Sequence, residues 1–161
     1  MAQIAREGLA EWNEARVVAV TPRFRAELAE QGVDAAELDD AVKDVAAVLA
    51  NTIADARGRW LFAPEHALAH SEWALAGVDA GAVAHIAVDR TFVADGMRWI
   101  VDFKTGRHEG ADLDAFLDQE RERYREQLER YARFVRALDS RPISLGLYHP
   151  LVRGWREWAS D

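Results

Sequence analysis

AVAHIAVDRTFVADGMRWIVDFK, residues 82–104, is the stretch on which the fold turns. Two runs rich in apolar, β-branched and aromatic residues, Ala82 to Ala94 and Met97 to Lys104, flank Asp95-Gly96. Asp-Gly tolerates the left-handed backbone of a two-residue turn, so the stretch reads as a β-hairpin. With a two-residue loop Ala94 faces Met97, and counting outward sets Asp89 directly opposite Asp102 as a non-hydrogen-bonded pair. Their Cβ atoms would then lie about 4.5–5.5 Å apart. Asp102 and Lys104 are two apart on a strand and share a face, with Lys104 diagonally across from Asp89.

Two carboxylates this close repel each other unless a shared proton, an arginine or a bound divalent cation compensates. An all-oxygen site with few protein ligands suits magnesium, which keeps several waters and takes the rest of its shell from phosphate. Two carboxylates, a hard cation and a lysine are a phosphodiester-cleaving set. The cation polarises phosphate and acidifies a bound water, and the lysine orients that water or offsets transition-state charge. The competing reading is a solvated cluster at a sheet edge. Asp-x-Lys alone is short and common by chance, and a β-bulge would undo the register.

Working outward, the first third reads helical. Ile4, Leu9, Trp12 and Ala15 fall roughly on one helical face. Thr21-Pro22 reads as an N-cap followed by proline at the first helical position. Asp34 and Glu37 have capping-box spacing, and Leu38, Val42, Val45, Leu49 and Ile53 form an apolar stripe that Gly58 ends. A strand is expected from about Ala67 to Ala76, before the hairpin. A long helix is expected from about Asp114 to Leu138, with Phe116, Leu117, Tyr124, Leu128, Tyr131 and Val135 inward. Pro142 stops it, and Ile143 to Tyr148 reads as a further strand; the tail with Trp155 and Trp158 is left unassigned. The expected class is α/β, a mixed central sheet flanked by helices with an N-terminal helical segment. The 161 residues fit a single domain, 1–58 helical and 59–161 the core.

The chain has no cysteine, which excludes disulfides and cysteine-based zinc sites and agrees with a reducing, cytoplasmic setting. No apolar run approaches a bilayer span, and the N-terminus has no secretory pattern, so no membrane partner is expected. A net charge of -8 counts against a simple basic-patch DNA binder but not against an enzyme that meets DNA through a cation and local arginines.

Three stretches in order, Ala87-Val88-Asp89-Arg90-Thr91, Trp99-Ile100-Val101-Asp102-Phe103-Lys104-Thr105-Gly106 and Gln127-Leu128-Glu129-Arg130-Tyr131, resemble the RecB-like branch of the PD-(D/E)XK nucleases. They are most similar to the C-terminal nuclease domain of RecB/AddA-type (UvrD-like) helicase–nucleases. Gly58-Arg59-Trp60-Leu61, Ser71-Glu72-Trp73 and Leu147-Tyr148-His149-Pro150 support the likeness, which covers the chain from about Gly58 onward. It implies a restriction-endonuclease-like core. It also implies magnesium or manganese held by Asp89, Asp102 and the Phe103 backbone carbonyl, with Lys104 catalytic and Gln127 and Tyr131 lining the site. Glu72 is a peripheral ligand or a structural partner. The implied activity is DNA hydrolysis in repair or recombination, exonuclease favoured over endonuclease, with a UvrD-like helicase region in cis or trans. The alternative is a non-catalytic module that binds DNA or docks on a helicase.

The family also carries a metal-binding histidine on an early helix, just before the position of Gln3. The chain starts at Met1, so truncation before that histidine is the expectation. Of the five histidines, His85 stands about 13 Å along its strand from Asp89, too far for a shared metal. His66, His70, His108 and His149 read, with it, as structural or solvated. Arg121, Arg123, Arg125, Arg130, Arg133 and Arg136 read as a solvated ion-pair face, or as guides for a DNA backbone. Trp60, Trp73 and Trp99 read as core.

Overall fold

The structure is a computed structural model that describes residues 1–79, 81–108 and 110–161. Its contacts divide the chain into two compact units. One is Gln3–Pro64 with Met1 and Pro150–Arg153; the other is Glu65–His149 with Ala2 and Gly154–Asp161. The division falls at Pro64–Glu65.

The first unit is helical: α1 (Ala2–Glu7), a short 3-10 turn (Leu9–Glu11), α2 (Glu14–Glu30), α3 (Leu38–Ala54) and α4 (Ala56–Leu61). The expected single face from Ile4 to Ala15 is broken. Gly8, at φ 86, ends α1, and Asn13 starts a new helix by accepting the Arg16 N–H at 2.9 Å. That resets the helical phase, so Ile4 and Trp12 are buried while Ala15 is exposed. Thr21-Pro22 does not start a helix but lies inside α2. The Thr21 hydroxyl donates to the Val17 carbonyl at 2.8 Å. Pro22 has no N–H to give the Val18 carbonyl one turn earlier, and Val18 is exposed. The Asp34–Glu37 capping box is replaced by an Asx turn, Asp34 Oδ1 accepting the Ala36 N–H at 3.0 Å, and Glu37 makes no side-chain cap. The α3 stripe buries Leu38, Val42 and Leu49 together with Val48 and Thr52.

Gly58 is not a helix stop. It sits within α4, where Asp55 caps the helix by accepting the Gly58 N–H at 3.1 Å. A Cβ on Gly58 would stand 2.2 Å from the Thr52 carbonyl oxygen, so α4 approaches α3 backbone to backbone and only glycine fits. The segment Pro150–Arg153 joins this unit through Asn51, whose amide donates to the Pro150 and Leu151 carbonyls at 2.9 and 3.2 Å.

The second unit is a five-stranded mixed sheet with one long helix. Strands β1 (Ala67–Asp79), β2 (Ala82–Ala94), β3 (Met97–Phe103), β4 (Ile143–His149) and β5 (Gly154–Ala159) lie in that order, and α5 (Leu113–Arg136) joins β3 to β4. All neighbours are antiparallel except β3 and β4, which are parallel. A parallel pair needs a crossover, and α5 supplies it. The hairpin register is as the turn dictates: Ala94 pairs with Met97 and Arg90 with Val101. Asp95 and Gly96 take φ 51 and 75, the left-handed pair of a type I′ turn. The tail is a strand, β5, completing the sheet against β4.

Asp112 caps α5 by accepting the Ala115 N–H at 2.9 Å. The helix buries Leu117, Leu128, Ala132, Phe134 and Val135. Leu128, Ala132, Phe134 and Val135 meet Ile86, Val88, Ile100, Ile143 and Leu145 of the sheet in one core. Each such aliphatic side chain contributes about 1.5–3 kcal/mol by leaving water. Packing α5 there sets its Tyr124, Gln127 and Tyr131 over the end of β3.

Candidate active site

The site forms where the β2–β3 ladder ends. Beyond Arg90–Val101 the next pair would be Asp89–Asp102. Here the Asp89 side chain takes over from the backbone, its Oδ2 accepting the Phe103 N–H at 2.9 Å. Phe103 still pairs with Tyr148 of β4, and the Lys104 N–H donates to the Tyr148 carbonyl at 2.9 Å. Asp89 is half-buried and Asp102 is 3% exposed.

Both carboxyls are hard to ionise. Burial raises the pKa of Asp89, against the Phe103 N–H and the Lys104 charge, and the charge of Glu72 adds to the rise. Burial also pushes Asp102 up, to about 6; Lys104 works against the rise and the negative Asp89 reinforces it. The Lys104 ammonium stands 2.7 Å from Asp102 Oδ2. That ammonium is the partner of the buried Oδ2 among the described residues. Gln127 donates from Nε2 to Asp102 Oδ1 at 3.3 Å and to the Tyr131 hydroxyl at 2.8 Å. Asp89, Asp102, Lys104, Gln127 and Tyr131 are thus brought together from two strands, the residue after β3 and one helix.

Glu72 borders this group from β1. The pairs Ser71–Arg90 and Trp73–Val88 place it opposite Asp89, on a left-handed backbone at φ 51 with an exposed side chain. It acts on Asp89 through charge. Among the described residues no group of three His, Asp or Glu side chains is gathered to hold a metal. The donor set nonetheless fits a hard cation. It is all oxygen, it is desolvated, and its buried carboxylate oxygen Asp102 Oδ2 is met by an ammonium and no neutral donor among the described residues. Asp89, Asp102 and the Phe103 carbonyl are the groups that would hold it.

The Lys104 charge acts on His149, while the other histidines stack on rings or lie exposed. His66 stacks on Phe92 at 4.1 Å, His70 on Trp73 at 5.2 Å, and His108 on Phe116 at 4.6 Å. His85 is exposed. His149 is fully buried with both ring nitrogens unpartnered among the described residues, and burial lowers its pKa against the pull of Glu120. The α5 arginines are engaged. Arg121 and Arg125 pair with Glu122, Arg123 with Glu120, Arg130 and Arg133 with Asp79, and Arg136 bonds Ser160. Trp155 lies near Trp99 and Tyr148, while Trp73 and Trp158 pack against the core.

One contact was not read from the sequence. The Lys104 ammonium lies 3.9 Å from the centre of the Tyr124 ring. Lys43 and Lys104 are the only lysines among 20 lysines and arginines.

No protein-family model matches the chain. No curated protein matches it either.

Proposed function

We propose that this chain is a magnesium- or manganese-dependent nuclease domain that hydrolyses DNA phosphodiester bonds. The observation that carries the reading is the convergence of two carboxyls with raised pKa values and an ammonium at 2.7 Å, under a helix-borne amide. Acids whose pKa is raised by burial beside a specific charged partner are candidates for a functional site. When bound, a divalent cation supplies a polarised phosphate and an acidified water. Asp89, Asp102 and the Phe103 carbonyl would hold it, and the Phe103 N–H fixes the Asp89 carboxylate. Gln127 orients Asp102, and Lys104 carries the positive charge that offsets the build-up on phosphate.

The finer parts of the reading follow the resemblance: a restriction-endonuclease-like core, exonucleolytic cutting, and a UvrD-like helicase in cis or trans acting in repair or recombination within the cytoplasm. No helix of the described residues is long and apolar enough to cross a membrane. The second reading, a non-catalytic module that binds DNA or docks on a helicase, is favoured by the net charge of -8.

The experiment is cleavage of labelled DNA with added manganese. Cutting that chelation abolishes, and that Asp102→Ala and Lys104→Ala lose while staying folded, is the expected result. Salt-sensitive binding without cutting at any manganese concentration would select the second reading.

A further inference from the structure

We propose that Tyr124 positions Lys104, holding the ammonium against its ring face; the proposal rests on the nuclease reading for its catalytic consequence but not for the contact itself. Tyr124, Gln127 and Tyr131 lie three and four apart on α5 and share one face. Each half of the Asp102–Lys104 pair is met by a different residue of that stripe. Gln127 reaches Asp102 Oδ1 at 3.3 Å, and the Tyr124 ring lies 3.9 Å from Lys104 Nζ. Tyr131 backs Gln127 through its hydroxyl at 2.8 Å.

The geometry explains why an aromatic ring suits this place. A lysine has a long, flexible stem and a point charge, so a single ion pair leaves its head free to swing. A carboxylate as the second hold would neutralise the charge that the phosphate needs. A ring face attracts the cation through its quadrupole and adds no negative charge. The Tyr124 ring is itself fixed by packing against the sheet core. The Lys104 side chain is 20% exposed, so the contact is partly desolvated, where cation–ring attraction is stronger than at an open surface. Arg123 also lies over this ring, at 5.2 Å, but its side chain is 69% exposed and tied to Glu120 at 3.3 Å. Lys104 is the nearer and less hydrated cation.

The two-lysine composition gives a test that needs no activity. The full chain is treated with limiting acetic anhydride, and mass spectrometry follows acylation of Lys104 against Lys43, whose side chain is 73% exposed and serves as the internal reference. Tyr124→Leu is expected to raise the Lys104/Lys43 rate ratio about three- to tenfold, the range that loss of such a contact supports, and Tyr124→Phe to leave it near wild type. In cleavage assays Tyr124→Leu lowers kcat about tenfold with KM nearly unchanged, and Tyr124→Phe restores it. Should Tyr124→Leu unfold, Tyr124→Met fills the space without a ring and must show the same rise. An unchanged ratio in the ring-less variants, or a rise equally large in Tyr124→Phe, overturns the proposal. If wild type does not cut DNA, the nuclease reading fails while the acylation ratio still decides the role of Tyr124.

Discussion

Strand β3 carries two buried ion pairs four residues apart, and they behave in opposite ways. Arg98 meets Asp139 through Nε at 2.8 Å and Nη2 at 2.7 Å; Lys104, just past the strand's other end, meets Asp102 at 2.7 Å. Arg98 and Asp139 are 5% and 9% exposed and Asp102 is 3% exposed. Burial would raise Asp139, but the Arg141 N–H and the Arg98 and Arg141 side chains outweigh it, and its pKa falls. Asp102 has burial against it, one ammonium, one long amide contact and a negative neighbour, and its pKa rises to about 6. A saturated pair holds structure together. An under-satisfied pair retains free energy that a ligand can release.

The largest effect should come from breaking the saturated pair. Arg98→Ala takes the Nε and Nη2 donors from a buried carboxylate, leaving it to Arg141, and also removes a donor to the Leu68 carbonyl. Urea denaturation should show a loss of about 1.5–3 kcal/mol. A loss under about 1 kcal/mol would mean that the two pairs are not different in kind.

Next comes the under-satisfied pair, where function and not stability should fall. Asp102→Ala and Lys104→Ala should each cut manganese-dependent cleavage by at least about a hundredfold, the scale for losing a cation ligand or a charge stabiliser. Circular dichroism should remain that of the wild type.

The comparison sharpens on stability against pH. Asp102 has a folded pKa above its ordinary 3.8, so the folded protein binds more protons between about pH 4 and 6 and stability drops as pH rises through that window. Above about pH 6 the burden is complete. Asp102→Asn should therefore gain about 1–3 kcal/mol at pH 7 and nothing below about pH 4. Asp139 runs the other way: its folded pKa lies below 3.8, so its contribution is present above that value and is lost only as pH falls beneath it. Manganese should raise the melting temperature of the wild type and leave that of Asp102→Asn unmoved. Urea titrations at pH 4 and 7 and a melting series check both.

The smallest effect belongs to the exposed pair. Lys43 and Asp40 are 73% and 70% exposed at 2.8 Å. Lys43→Ala should change stability by no more than about 0.5 kcal/mol by thermal melting, because solvent screens such pairs.

Much of this site was legible in the chain. Asp95-Gly96 and the alternation around it gave the register that carries Asp89 toward Asp102, since a two-residue turn leaves the strands little choice. The apolar spacing on α5 gave a helix with Gln127 and Tyr131 on one face. The helical N-terminal region was less legible. Gly58 looked like a stop because its role, admitting the Thr52 carbonyl, depends on another helix. Thr21-Pro22 looked like a start because proline at the first turn and proline tolerated at a solvent-facing break have the same local signature.

By itself the sequence determined what lies close along the chain: the hairpin and its register, the α5 stripe, and the ordering of strands and helices. Turn chemistry and side-chain periodicity act over a few residues and need no partner. Only the tertiary structure decided that β3 runs parallel to β4, that β5 closes the sheet, and that α5 sets Gln127 on Asp102 and the Tyr124 ring on Lys104. Those contacts join distant segments through packing of α5 on the sheet, and no local pattern specifies which buried charge is left wanting a partner.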